Sequence, residues 1–480
     1  MAENLKLELL TAEEVGNIHD KCLRHLSTKG VKVDHQEALR ILDKAGARVD
    51  FDNQQVRFPK DVIEEALRTV PRDFRLAGHS ECYDLALPHP DGLFYVRNNS
   101  GAQSYVGLDG NAYRNVTLAD VAEWSQLAET LDEINICAHP VPNDAPEETA
   151  DIHAVKTVFE NTGKHLFLQV YGFKSIQYLF ELALVVAGSK EALKKRPIVS
   201  TGPCSVSPFV LKAMDVEQII YSSRYGVPMF LCPLPSSGAT SPVTMPGTIL
   251  QCSIEILAML VMSQMLQPGT PVIAMPVLLT LDMLTGRLLG SSIDAVLGTA
   301  GGVQFIKDAY HIPTFTWGLR TDSYIPDEQA MLDKINSGLI SSLAGCDILT
   351  TAGGLSASIA MSPVQLIIDN KLAKVLKQVK AGLKVDDDTL AWKEILDTEP
   401  GGHYLERAHT LKHCREALRT QLSVSQPRDT WRAEGSKDLY VRMVEEYREL
   451  KKNLKPLDLP EEVKRELNQI VKHADEHLVK

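Results

Sequence analysis

Hydrophobic and polar positions along this chain follow two regimes in succession. Over the first ninety residues the apolar positions recur with helical spacing. Thr11-Ala12-Glu13-Glu14 forms a capping box ahead of an amphipathic helix running to Leu26, and residues 36–45 and 60–70 repeat the pattern. Residues 74–92, rich in Pro, Gly, His and Asp, predict an irregular connection. Then short apolar β-prone runs set in, at 94–96, 134–138, 166–171, 198–201, 229–232, 272–275, 314–317 and 347–350. Helical patterns lie between most of them, among them 175–188, 211–225, 248–266 and 326–344. Buried strands alternating with helices in this number predict an α/β fold, a closed parallel (β/α)8 (TIM) barrel. The chain divides into a helical N-terminal extension over 1–92, the barrel over 93–366, and a C-terminal helical segment over 367–480 packing on it. In that last part, helices are expected at 367–380 and after Asp386-Asp387-Asp388. A basic helical stretch follows to Leu422, with surface helices in the final forty residues.

Several runs end in Pro, Gly or a polar residue: Ala138-His139-Pro140, Val170-Tyr171-Gly172, Thr201-Gly202-Pro203-Cys204, Cys232-Pro233 and Met275-Pro276. In a barrel the loops after the strands form the functional face, so these ends mark either that face or plain strand stops.

Composition narrows the function classes. A net charge of −12 with no basic run argues against phosphate-backbone binding and so against nucleic acid. Eight scattered cysteines, with no Cys-x-x-Cys pair, read as reduced, mostly buried thiols of a cytoplasmic protein. No signal peptide is evident in Met1-Ala2-Glu3-Asn4-Leu5-Lys6. The most apolar stretch, 248–266, is interrupted by Gln251, Glu255 and Gln264, which suits a core helix better than a membrane span. The phosphate loop, His-Glu-x-x-His and Gly-x-Ser-x-Gly are absent. His139, His153 and His165 lack the spacing of a metal site, so no bound metal is expected.

What remains is a set of aromatic and polar residues at strand ends. Tyr95 and Arg97 come at the end of the first run, His139 follows the second, Tyr171 ends the third, and Phe315 and Trp317 end the seventh, with Arg320 just beyond. Trp317, one of four tryptophans, either packs in the barrel or forms an aromatic wall for a cation, worth roughly 0.5–2 kcal/mol per contact. Arg320 either holds a carboxylate of the same ligand through its planar fork or pairs with Asp322 or Asp327. Asp322 itself sits where a helix cap is expected.

Motifs in order along the chain add a resemblance. They are Gly202-Pro203-Cys204-Ser205-Val206-Ser207-Pro208, residues 237–244 and 267–272, Thr321-Asp322-Ser323 with Asp327-Glu328-Gln329-Ala330, Ala344-Gly345-Cys346-Asp347-Ile348, and Gly402-His403-Tyr404-Leu405 with Thr410, His413 and Trp431. With these the chain resembles the corrinoid-dependent trimethylamine methyltransferase family. The resemblance implies a TIM-barrel enzyme that moves a methyl group to Co(I) cobalamin, the corrinoid being carried by a separate partner protein. Founding members carry pyrrolysine; this chain has standard residues only and is similar to the non-pyrrolysine branch, which demethylates glycine betaine, proline betaine, carnitine and related quaternary amines. The chemistry agrees: a quaternary nitrogen leaves as a neutral amine, so no proton has to be supplied and the task is to orient one N–CH3 bond. A homo-oligomer is expected, as for many large cytoplasmic barrels. Two other readings stay open: a barrel lyase or decarboxylase acting on an acidic substrate through arginines, and a non-catalytic quaternary-amine binder.

Overall fold

All eight apolar runs become strands of one barrel. In the computed structural model, which describes residues 5–416 and 422–479, they are β1 (Tyr95–Asn98), β2 (Ile136–Ala138), β3 (His165–Leu168), β4 (Val199–Thr201), β5 (Met229–Leu231), β6 (Val272–Ala274), β7 (Phe315–Thr316) and β8 (Ile348–Ala352). They pair in chain order, all parallel. The ring is closed by the bridge between Ala274 and Thr314, with Ala274 N donating to Pro313 O at 2.9 Å. Every residue of these strands is buried, as expected for strands with a packed interior on one side and helices on the other.

The helices that follow the strands are α1 (Leu118–Thr130), α2 (Ala150–Phe159), α3 (Ser175–Ala187), α4 (Ala213–Tyr225), α5 (Met245–Leu266), α6 (Ile293–Tyr310), α7 (Glu328–Leu343) and α8 (Pro363–Ala381). Among the described residues α5 is the one helix long and apolar enough to cross a membrane, and 83% of its apolar window is buried within the protein. Its Gln251, Glu255 and Gln264 each find hydrogen-bond partners inside.

The N-terminal part carries strands that helical spacing did not reveal. Val31–Val33, Arg48–Asp50 and Gln55–Arg57 join Val210–Leu211, from the loop after β4, in a four-stranded sheet. The segment read as irregular contains a hairpin, Phe74–Leu76 against Leu85–Leu87. Its Leu76, Leu85 and Leu87 pack with Tyr95, Ile136 and Ile348, so the hairpin plugs the N-terminal end of the barrel. At the other end of the chain, Glu461–Leu478 lays Leu467, Val471 and Ala474 onto the barrel helices. From 381 to 442 no described residue is buried, and the elements there are short, with helices at Asp387–Leu390, Trp392–Leu396, Ala408–His413 and Arg428–Ala433. Residues 417–421 of the basic stretch, and Met1 to Asn4, lie outside the described residues.

Five cysteines, Cys22, Cys137, Cys232, Cys252 and Cys346, are buried, while Cys82 and Cys414 are exposed. The three neighbouring histidines are each committed elsewhere: His153 to Asp475 at 3.1 Å, His165 to Ala77 O and Ser200 Oγ, His139 to the loop atoms described below.

Candidate active site

A cavity of about 180 Å³ lies at the C-terminal ends of the strands. Inward-facing positions on a strand alternate, and here they come in pairs two residues apart: Arg97 and Asn99 from the end of β1, Phe167 and Gln169 from β3, Cys232 and Leu234 after β5, Phe315 and Trp317 from β7. Gly202, Cys204, Met275, Thr351 and Ser358 complete most of the lining. Gly202 is required by close approach, because a β-carbon there would stand 2.5 Å from Phe167 Cζ.

Arg97 is 3% exposed. Its guanidinium lies 4.1 Å from the centre of the Phe167 ring and 5.9 Å from that of Phe315. Nη2 donates to Ser100 Oγ at 3.3 Å, whereas Nε and Nη1 are buried without a partner. Burial pushes its pKa down to about 10, so the group remains cationic at neutral pH. Trp317 lines the cavity as well, and its ring carries the Arg320 guanidinium at 4.6 Å.

Arg320 is not among the lining residues. It sits behind Trp317, with Nη2 3.4 Å from Asp322 Oδ1, while Asp322 Oδ2 accepts from the amides of Gly290 and Ser291. A β-carbon at Gly290 would come within 2.2 Å of the Arg320 Nη1 atom, so that glycine makes room for the guanidinium. The expected carboxylate partner is thus used internally, in the ion pair with Asp322 that the sequence left open. Burial lowers the Arg320 pKa, and Asp322 works against that shift.

His139 and Tyr171 form a layer beside the cavity. The His139 ring is fully buried, donates through Nδ1 to Pro140 O at 3.2 Å and accepts at Nε2 from the Gln169 amide at 3.3 Å. Burial pulls its pKa down to about 4, so it is neutral at pH 7. It therefore holds Gln169, which does line the cavity. Tyr171 lies three residues beyond β3 rather than ending it, because its loop is tied down by Asp151, which accepts from the Tyr171 amide at 2.9 Å. Tyr95 begins β1 and faces the plugging hairpin, at the opposite end of the barrel from the cavity.

Of the seven residues that the sequence offers as substrate-binding, the structure puts Arg97, Phe315 and Trp317 in the cavity wall, His139 and Tyr171 beside it, and Tyr95 and Arg320 outside it. Phe167, Gln169, Cys232 and Met275 were missed as site residues. Their signal was the two-residue period inside runs already recognised as strands. Burial keeps the Cys232 thiol protonated well above its ordinary pKa, which leaves it a poor nucleophile.

A family model described as Trimethylamine methyltransferase (MTTB) matches residues 2–478. The chain belongs to the trimethylamine methyltransferase family. A family member from Desulfitobacterium hafniense, trimethylamine methyltransferase MttB, is 31% identical over 475 residues, covering 99% of this chain and 95% of its own. Trimethylamine methyltransferase MttB of Methanosarcina thermophila is 28% identical over 461 residues, 95% of either chain. A glycine betaine methyltransferase of Desulfitobacterium hafniense is 26% identical over 433 residues, 89% of either chain. Among solved structures, the monomethylamine methyltransferase (MtmB) of Methanosarcina barkeri aligns over 92% of this chain and 93% of its own, with a TM-score of 0.46 and 11% identity. As a member of the family this chain is a methyltransferase, which replaces the lyase and the non-catalytic readings.

Proposed function

We propose that this chain transfers an N-methyl group from a betaine-type quaternary amine to the cobalt of a separate corrinoid protein docked over the barrel mouth. The observation that carries the reading is the cavity itself: Phe167, Phe315 and Trp317 line it, and among its lining residues there is no carboxylate. Aromatic faces attract a cation whose charge cannot be removed by losing a proton. No lining group is needed as acid or base, because the departing amine is neutral. The corrinoid supplies, when bound, a reduced cobalt able to accept the methyl group. The chain's own residues hold the cation, exclude water within the strand ends and aim one N–CH3 bond outward. Cys232 stays protonated and does not intercept the methyl group.

The test is incubation with free cob(I)alamin and glycine betaine, proline betaine, carnitine, choline or trimethylamine, following the methyl-cobalt spectrum. At least one carboxylated quaternary amine is expected to react and trimethylamine to be inert. Turnover of trimethylamine alone overturns the proposal. Trp317→Leu keeps bulk and removes the ring quadrupole. It is expected to weaken every quaternary ligand by roughly 1–2 kcal/mol, about five- to thirty-fold, by calorimetry.

A further inference from the structure

A guanidinium buried to this degree normally lies against a carboxylate, because an unpaired charge away from water is strongly unfavourable. Arg97 has no such partner. Two of its nitrogens are unsatisfied, and the side chain lines the cavity. Two further buried polar atoms of the same cavity are also unpartnered, Ser358 Oγ and Asn99 Oδ1. Ser358 is held there by an unusual run, Ser356, Ala357 and Ser358 at φ of 50°, 55° and 76°. Three consecutive non-glycine residues in the left-handed region represent strain retained at a site.

We infer that Arg97 is the receptor for an acid group on the substrate and sets the direction in which the substrate lies. This rests on the methyl-transfer reading and adds to it a residue and an orientation. The acid group sits at strand level against Arg97: Nη2 gives one of its two N–H groups to Ser100 Oγ, and the other, with the free neighbour on its edge, offers two parallel donors to one planar anion. Ser358 Oγ is a further donor. The ammonium cannot share that place, since it would meet a like charge with the Phe167 face already taken by the guanidinium. It lies instead towards Trp317, one inward position nearer the mouth than Phe315. The N-methyl groups therefore face the loops, from which an acceptor arrives. A simple trimethylammonium ion would leave Arg97 unpaired and add a second cation beside it, so the same residue selects zwitterions and rejects amines.

The experiment uses the full chain and two readouts. Calorimetry compares glycine betaine, proline betaine, carnitine and choline on the wild type, Arg97→Met and Arg97→Lys, with thermal melts as a folding check. Arg97→Met is expected to weaken the best-bound carboxylated ligand at least about thirtyfold and choline less than about threefold. Arg97→Lys, which keeps the charge but loses the fork, should fall between. Equal losses for betaine and choline overturn the assignment. The second readout needs no variant and decides the matter should Arg97→Met not fold. On the wild type, N-benzyl-N,N-dimethylglycine should bind within about tenfold of glycine betaine, since its bulk points to the mouth, whereas the benzyl ester of glycine betaine should not bind. The reverse preference overturns the orientation. Methyl transfer from betaines that survives with an unchanged betaine-to-choline preference in Arg97→Met rejects the role of Arg97 alone. Absence of transfer from every quaternary amine rejects the functional reading beneath it.

Discussion

Replacing Lys334 by Met is expected to lower the unfolding free energy by about 3–5 kcal/mol, the range for breaking a buried ion pair from one side. Lys334 and Asp369 are both fully buried and meet at 2.7 Å, joining α7 to α8. The ammonium also donates to Leu319 O at 2.6 Å, and Asp369 accepts from the amide of Gly353 at 2.6 Å and from Gln365 Nε2 at 2.8 Å. The pair thus pins the backbone just past β7 to the end of β8, beneath the loops that carry Trp317 and Ser358. Removing Lys334 strands a carboxylate that burial already pushes towards its neutral form. Urea unfolding followed by tryptophan fluorescence measures the loss. The double variant Lys334→Met/Asp369→Leu should regain most of it, because the main term is the unpaired charge rather than the lost attraction. A double variant as unstable as the single one would show that packing, not charge, dominates there. By contrast Lys60→Ala, which breaks an exposed pair with Glu64 at 3.6 Å, should change stability by about 0.5 kcal/mol or less.

Glu255→Ala is the second large effect expected. Glu255 is 1% exposed on α5, and its carboxylate accepts from Ser205 Oγ, from Ser207 Oγ at 2.8 Å and from the Phe209 amide at 3.2 Å. One side chain therefore holds the middle of the loop after β4, whose first residues, Gly202 and Cys204, line the cavity, the Cys204 amide donating to Asp215 at 2.8 Å. Leaving these three loop donors, and Gln251 Nε2 at 3.2 Å, without this acceptor is expected to cost about 3 kcal/mol of stability. On the proposed function, betaine affinity should fall about tenfold or more as that wall loosens. Glu255→Gln retains one acceptor oxygen and should recover part of both. Denaturant melts and calorimetry on the two variants decide; wild-type affinity in Glu255→Ala would mean the loop is held by other contacts.

This loop illustrates what can be read from a chain and what cannot. Gly202-Pro203-Cys204 and its serines were visible as a motif, and Glu255 as a polar interruption in an apolar helix. Nothing in either stretch indicates that they meet, forty-eight residues apart between Ser207 and Glu255. The same holds for the arginines. Arg97 and Arg320 are equivalent as sequence, each beside aromatic residues at a strand end. Each leaves Nε and Nη1 unpartnered, but Arg97 enters the cavity with no carboxylate beside it, whereas Arg320 lies outside it against Asp322 and the Trp317 ring, a distinction set by side-chain direction and by the space that Gly290 leaves.

By itself the sequence determined the eight-strand alternation and the barrel. These follow from local periodicity: strands buried on both faces must be apolar throughout, and helices between them must be amphipathic or buried. It also carried enough ordered motifs to indicate the family. Tertiary structure alone decided which residues share the cavity, that Tyr95 faces a hairpin plug instead of the mouth, and that N-terminal strands pair with the loop after β4. Those outcomes depend on contacts between residues far apart in the chain. A three-residue strand leaves almost no periodic trace of its own, and the fate of a buried charge is fixed by whatever the folded chain brings against it.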